Sequence, residues 1–485
     1  MKEITKEQLI DIAISISSEK DMDVLMERIL TEAMDYTECD GGTLYICTQE
    51  NLEFHTAITR SKNFHMSKRI GNMVLPPVPY AKTHVCACCA MEKKKINIPD
   101  VYESTDYDFH GAQKYDSMND YRTKSMLVLP MEDEKGNVIG VLQFINATDE
   151  GGSIVPFPSE CEQTISALSS LAAVSLNNHQ LSEQVLELLH SFVKVMASAI
   201  DTRSPYNANH SRSMARYAEK FIKWLNEADG DWKFEEKDID PFIMSVWLHD
   251  VGKLVIPLEV MDKPTRLGDK EERFVSKVTT AILMERLRGY EHPEEKDAAD
   301  EKIKALKEAK ELILSANGAG FLPDDKLEAI KKAASIECLT ADGESVPFLN
   351  EEELTCMMVR KGTLTDEERK IMQSHVINTE KMLSQMIFKG DYANVPVWAA
   401  SHHEFLNGSG YPKHLKAEDL PKETRLLTIL DVYDALTAED RPYKPAMPTE
   451  KAFGILHAME QDGQLDGKIL DLFEKSGVWK KEPKV

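Results

Sequence analysis

The stretch His402-His403-Glu404-Phe405-Leu406-Asn407-Gly408-Ser409-Gly410-Tyr411-Pro412 constrains this chain more than any other. Imidazole is the commonest biological metal ligand, and two neighbouring rings can reach one ion or two close ions if the backbone is held still. Gly408 and Gly410 permit positive φ or a close approach to the main chain, and Pro412 stiffens the exit. Read alone, the stretch also fits one functional histidine beside a bystander in an ordinary loop. The other histidines decide between these readings, and they lie in the second half of the chain.

From about residue 200 to 475 the pattern is mostly helical. Asp201-Thr202-Arg203-Ser204-Pro205-Tyr206-Asn207-Ala208-Asn209 reads as a loop opening a helix that bears His210. Phe242-Ile243-Met244-Ser245-Val246-Trp247-Leu248 reads as an apolar helix ending in His249-Asp250, followed by Val251-Gly252-Lys253. A carboxylate at the end of a buried helix is costly unless it is satisfied. Thr365, with Glu368 three residues on, marks a capping box that opens a helix carrying His375. Asp431 sits in the apolar run Leu426–Leu436 and needs a partner for the same reason. Five imidazoles (His210, His249, His375, His402, His403) and two carboxylates (Asp250, Asp431) form a mixed N/O set suited to iron, manganese or zinc. Asp250, beside His249, is the best candidate to bridge two ions. No nucleophile motif such as G-x-S-x-G is present, which fits direct attack by water on a phosphodiester.

Composition removes several alternatives. The net charge is -24, which argues against a nucleic-acid polymer as partner. No run approaches 18 apolar residues, so no membrane-spanning helix is expected. The start, Met1-Lys2-Glu3-Ile4-Thr5-Lys6-Glu7, lacks the apolar core of a signal peptide. Eight scattered cysteines suit a reducing compartment, so a cytoplasmic location is expected.

Residues 1–175 read as α+β. Leu9, Ile12, Ala13 and Ile16, then Leu25, Ile29 and Leu30, fall at helical spacing. Gly42–Cys47 and Leu52–Ile58 read as strands joined through Gln49-Glu50-Asn51. Ser125–Met131 and Val138–Ile145 flank the turn Asp133-Glu134-Lys135-Gly136-Asn137 and read as a second hairpin. This strand pair, after a helix and hairpin and before a long helix, resembles a GAF domain, an antiparallel sheet with helices that often senses a small ligand. His84-Val85-Cys86-Ala87-Cys88-Cys89 is its one chemically loaded stretch. It reads either as a loop of small, partly buried cysteines or as a metal or redox site.

A long helix over 158–200 follows. Leu171, Val174, Asn178, Leu181, Val185, Leu188, Phe192 and Val195 alternate steps of three and four, an a/d seam with a polar residue to fix register. The seam predicts a homodimer through a parallel helix that carries a signal onward. The alternative is an amphipathic helix buried within one subunit. Residues 265–361 then interrupt the catalytic pattern with two amphipathic helices, broken at His292-Pro293 and ended at Asn317-Gly318. This insertion could serve as a docking arm, a decoration or a lid.

The segments HDVGK (249–253), HHEFLNGSGYP (402–412), DVYDALTAEDRPYK (431–444) and the SPYNANHS lead-in to His210 resemble the HD-GYP family of HD phosphohydrolases. The resemblance implies a multidomain chain: a GAF-like sensor, a connecting helix and an all-α catalytic domain with a helical insertion. It implies hydrolysis of cyclic di-GMP to pGpG and onward to GMP, or of a cyclic GMP–AMP. It implies two divalent ions, iron or manganese foremost, with zinc, nickel and cobalt as alternatives. His210, His249, Asp250 and Asp431 would hold one ion; Asp250, His375, His402 and His403 the other. Lys253 would lie near the bridging water and a substrate phosphate. Arg441 and Lys444 would meet the dinucleotide phosphates, and Gly410 and Tyr411 would shape the mouth. The sensor would answer an unknown small ligand or redox signal. Two departures stand out. Tyr206 occupies the place of a glutamate found in trimetallic members, so two ions are expected, and the insertion separates His249 from His375. A non-catalytic scaffold usually lacks ligands that this chain retains. A simple nucleotide-cleaving HD enzyme would lack the GSGYP stretch.

Overall fold

A computed structural model of the chain describes residues 21–67, 75–204, 209–228, 230, 232–438 and 446–480. The expected helix over Leu9–Ile16 lies outside them, as do Tyr206, Arg441 and Lys444. The chain divides into two compact units, Met1–Leu188 and Leu189–Val485.

In the first unit, helix α1 (Met22–Thr37) leads into strands β1 (Cys39–Cys47), β2 (Asn51–Thr59), β3 (Phe64–Ser67) and β4 (Val78–Pro79). Helix α2 (Val85–Glu92), β5 (Ile96–Ile98) and α3 (His110–Asn119) follow, then β6 (Met126–Glu132), β7 (Val138–Thr148) and β8 (Ile154–Val155). All pairings are antiparallel in the order β3-β2-β1-β7-β6-β5, with β4 along β2 and β8 along β7. Alternation explains the two faces. Leu44, Leu129, Leu142 and Phe144 pack with Leu25, Ile29 and Leu30 of α1 and with Ile165 and Leu168 of α4 (Ser159–Arg203). Tyr45, Val128 and Val141 turn the other way, onto α2.

The cysteine stretch is therefore a helix, not a loop. Cys86, Cys88 and Cys89 are buried in that second apolar cluster. Burial pushes the Cys86 thiol up to about 11 and also raises Cys88 and Cys89. Protonated thiols neither ligate metal nor attack disulfides, so this environment favours packing over redox chemistry.

The second unit begins within α4. Helices α5 (His210–Glu227) and α6 (Glu236–Leu248) are followed by a 3-10 turn (Val251–Val255) and by α7 (Leu258–Met261). The insertion then runs through α8 (Glu271–Glu291), α9 (Lys296–Asn317), α10 (Asp324–Ala334), strands β9 (Glu337–Leu339) and β10 (Ser345–Pro347), and α11 (Glu351–Met357). It is more than the two expected helices, because it owns a core. Phe274, Val278, Leu306, Ile313, Ile330 and Phe348 pack together away from the rest. Arg266, fully buried, ties its parts by donating to the carbonyls of Ala316 (2.8 Å) and Val359 (2.7 Å). The ends meet where Thr363 Oγ1 donates to Lys263 O at 3.1 Å. Because entry and exit are neighbours, the excursion costs the site no displacement.

The chain returns through α12 (Asp366–Leu383), α13 (Val395–Ala399), α14 (Lys422–Thr437), α15 (Thr449–Gln461) and α16 (Gly467–Ser476). Thr365 and Glu368 form the expected capping box at α12. Phe221, Phe242, Leu427, Leu430, Leu456 and Phe473 join α5, α6, α14, α15 and α16 in one core. Helix α14 is buried nearly all round, with Thr424, Thr428, Asp431 and Asp434 buried among its apolar residues. Among the described residues, no helix is long and apolar enough to cross a membrane.

Candidate metal centre

Two helix ends, two helix interiors and one turn converge on Asp250. His249 and Asp250 follow the last residue of α6, so the apolar face of that helix carries them into the interior. His210 opens α5, His375 lies on α12, and His402 and His403 follow α13. Asp431 projects from α14. Asp201, Thr202 and Arg203, expected in a loop before His210, continue helix α4 instead. The helix stops at Ser204, the residue before Pro205, where the proline ring disfavours helical backbone.

The two oxygens of Asp250 face different imidazoles. Oδ2 is 3.3 Å from His249 Nε2 and 3.6 Å from His210 Nε2. Oδ1 is 3.5 Å from His375 Nε2 and 3.8 Å from His402 Nε2. Asp431 lies across the first group, with Oδ1 3.3 Å from His210 Nε2 and Oδ2 3.6 Å from His403 Nδ1. Ligand-type atoms of His210, His249 and Asp431, of His375, His402 and His403, and of His249, Asp250 and His402 form three tight groups. All seven expected ligands are thus brought together, in two sets that share Asp250.

The tautomers show why this cluster suits cations. The Nδ1 atoms of His249, His375 and His402 lie 2.7 Å from the carbonyls of Val246, Met372 and Ala399. A carbonyl only accepts, so each Nδ1 carries the hydrogen and each Nε2 presents a lone pair. Yet His375 Nε2 and His402 Nε2 are 3.4 Å apart, and His210 Nε2 and His249 Nε2 are 3.2 Å apart. Facing lone pairs repel unless a cation or proton lies between them. Asp250 Oδ1 is buried and accepts no hydrogen bond among the described residues. Buried imidazole pairs and an orphaned carboxylate oxygen fit divalent ions.

The electrostatics agree. Burial pushes the Asp250 carboxyl up, but Lys253 and the imidazoles of His249 and His375 outweigh it and hold it well below the usual range. Lys253 Nζ donates to Asp250 Oδ2 at 2.5 Å, and Asp250 outweighs burial to keep the ammonium charged. Burial lowers His402, His403 and His375, the last to about 4, so these rings are neutral and ready to ligate at pH 7. His210 goes the other way: burial opposes its charge, but Asp431 and Asp434 push it up to about 10.

Asp434 was not read from the sequence. Its Oδ2 is 2.7 Å from His210 Nδ1, so it fixes the ring with Nε2 aimed inward. The available signal was its spacing, three residues beyond Asp431 and on the same helix face. Carboxylates behind ligating imidazoles typically contribute 10–100-fold in metal affinity. Asp434→Asn is accordingly expected to weaken Mn2+ binding by about tenfold or more while the fold persists. Titration of the metal-free protein would check this, and wild-type affinity in the variant would remove Asp434 from the centre.

The loop after His403 is held by Glu404, buried, which accepts from the main chain at Lys413 (2.6 Å) and Leu415 (3.0 Å). Gly408 takes a φ of +77°, which favours glycine. Gly410 is needed for a different reason. A Cβ there would lie 2.5 Å from His403 O and 2.4 Å from Phe405 N. Gly410 is buried, with the His403 backbone directly over it. The ring of Tyr411, half-buried, stands 4.8 Å from that of His403 and forms part of the wall.

The HD domain family model matches residues 352–469, and the GAF domain family model matches residues 21–176. The 3'3'-cGAMP-specific phosphodiesterase 3 of Vibrio cholerae is 36% identical over 97 residues, 20% of this chain and 20% of that protein. The cyclic di-GMP phosphodiesterase response regulator RpfG of Xanthomonas campestris is 35% identical over 116 residues, 24% of this chain and 30% of that protein. The chain thus spans less than a third of either relative. A GAF domain/HD domain protein from Geobacter sulfurreducens covers 35% of this chain and 98% of its own at 16% identity, with a TM-score of 0.26. Residues 21–176 thus match the GAF domain family and residues 352–469 the HD domain family.

Proposed function

We propose that the second unit hydrolyses a cyclic dinucleotide, cyclic di-GMP or 3'3'-cyclic GMP–AMP, to its linear form and onward to mononucleotide, using two divalent ions. The observation that carries this reading is the posture of Asp250, one oxygen toward each histidine set. His210, His249, Asp250 and Asp431 would hold one ion, and Asp250, His375, His402 and His403 the other. When bound, such ions supply Lewis-acid activation of a phosphodiester and of water. The remaining work falls to the chain. Lys253 holds Asp250 ionised and offers a fixed positive charge to a substrate phosphate. Tyr411 bounds the cleft beside His403. Arg441 and Lys444 are the proposed phosphate contacts. Both named substrates occur among the relatives' activities, so both belong in the assay. Incubating the metal-loaded chain with each and resolving products by chromatography tests the reading. Linear dinucleotide from at least one is expected, and intact substrate with every metal supplied would overturn it.

Ligation also fixes a pH dependence. A metal entering the first set must displace the proton of His210, whose raised pKa is about 10. Below pH 10 binding releases that proton, so affinity is expected to rise about tenfold per pH unit and level off above it. His375, lowered to about 4, contributes no proton near neutrality. Calorimetry in two buffers of different ionisation enthalpy would count the protons. A flat affinity between about pH 6 and 9 would remove His210 from the ligand set.

The GAF domain is proposed to regulate the site through α4 in a homodimer. Leu181, Val185, Leu188, Phe192 and Val195 are all exposed on that helix, at a/d spacing. Val185→Asp with Leu188→Asp is expected to convert dimer to monomer in sedimentation. An unchanged sedimentation coefficient would discard the helix seam.

A further inference from the structure

We propose that Arg203, the last residue of α4, is a positioning residue for the metal centre. It would hold the turn that presents Asp250 and Lys253. Its guanidinium donates through Nη1 to Lys253 O at 2.7 Å and through Nη2 to Ile256 O at 2.8 Å, and Nη1 also reaches Leu254 O. These carbonyls close the 3-10 turn Val251–Val255, where Lys253 N already donates to Asp250 O at 2.9 Å. One planar fork therefore fixes three acceptors, the carbonyls of Lys253, Leu254 and Ile256, at the end of a short turn that has few bonds of its own. Lysine, with a single point of charge, cannot satisfy them together.

The same helix is anchored along the element that delivers His249. Val193 and Ile200 of α4 pack against Met244, Leu248 and Val251. His190 Nε2 lies 2.8 Å from Asp240 Oδ2 at the other end of α6. Beyond Arg203, Ser204 Oγ donates to Asp262 Oδ1 at 2.5 Å. Residues 190–204 thus run beside the metal-bearing segment and grip it at both ends, and Arg203 is the grip nearest Asp250. A small shift of α4 moves the carbonyls of 253–256, and with them the carboxylate that faces both histidine sets. Arg203 touches neither proposed ion nor substrate; it acts through the backbone.

The inference shares the metal reading above, but its test does not depend on turnover. Arg203→Met and Arg203→Lys in the full chain would be compared with Ile200→Ala, which loosens the same helix and leaves the fork intact. Mn2+ affinity of the metal-free proteins, helical content and melting would be measured, with and without added guanidinium. In Arg203→Met the helical content is expected to persist while Mn2+ affinity falls about tenfold, the size typical of partners behind a metal shell. Free guanidinium should restore most of it, Arg203→Lys should fall between, and Ile200→Ala should lose less than Arg203→Met and gain nothing from guanidinium. Unchanged affinity in a folded Arg203→Met overturns the proposal. So does a loss that guanidinium does not restore, or one that Ile200→Ala reproduces. If Arg203→Met does not fold, Arg203→Lys decides by the same criteria. If the wild type cleaves no phosphodiester, the proposed function falls, while manganese binding still rules on Arg203.

Discussion

Asp250→Ala is expected to strip at least one divalent ion from the protein and to lower turnover by about a thousandfold or more, the rate equivalent of several kcal/mol of lost charge stabilisation. Among the described residues, Asp250 is the one carboxylate with an oxygen toward His210 and His249 and another toward His375 and His402. Asp431 also turns an oxygen to each set, but within 4 Å it meets one imidazole in each, His210 and His403, where Asp250 meets two. Removing Asp250 also leaves the Lys253 ammonium without its 2.5 Å partner, and breaking such a pair in the interior is costly. Asp250→Asn separates the two effects. It keeps the shape but loses the charge, so metal should fall as in the alanine variant while melting changes less. Metal analysis alongside calorimetric melting reads both. Full occupancy in Asp250→Ala would mean that the two histidine sets do not share a ligand.

Gly252→Ala should be the most damaging single methyl in the second unit. A Cβ at Gly252 would stand 1.9 Å from His375 O and 2.5 Å from Thr379 N, both main-chain atoms of α12. Backbone within a packed helix cannot step aside as a flexible side chain can. Gly252 N also donates to Thr379 Oγ1 at 3.0 Å, and that hydroxyl donates to His249 O at 3.0 Å. The added methyl must therefore push α12 from the turn, carrying His375 away from Asp250. A destabilisation of about 3 kcal/mol is expected, at the upper end for overpacking. Metal affinity at the His375 set should be lost with it. A variant that melts and binds metal like wild type would show that the turn and α12 do not meet so closely.

These effects turn on how much of the site the sequence exposes. His249 and Asp250 are legible because a His-Asp pair at the end of a mostly apolar run has no bland explanation that leaves the carboxylate unpartnered. Thr365 and Glu368 are legible because a capping box is a local device, settled within four residues. The strands β6 and β7 announce themselves by composition and by the Gly136 turn between them. What is hidden depends on distant partners. Helices α10 and α11 of the insertion are short, and their stability comes from the shared core around Phe274 and Phe348 and from Arg266 reaching across it. Small residues over Val85–Glu92 carry no helical stripe, because the helix is buried nearly all round. Asp434 looks like an ordinary helix carboxylate until His210, far away in sequence, is found 2.7 Å from it. The close approach of the His403 backbone over Gly410 is likewise a contact that the sequence does not display.

The central claim is a two-ion phosphodiesterase site, and metal content with turnover on one anaerobic preparation tests it most directly. The account predicts about two iron or manganese equivalents per chain together with cleavage of cyclic di-GMP or 3'3'-cyclic GMP–AMP, both lost in Asp250→Ala. Metal-free protein after loading, or loaded protein that leaves both cyclic dinucleotides intact, would contradict it.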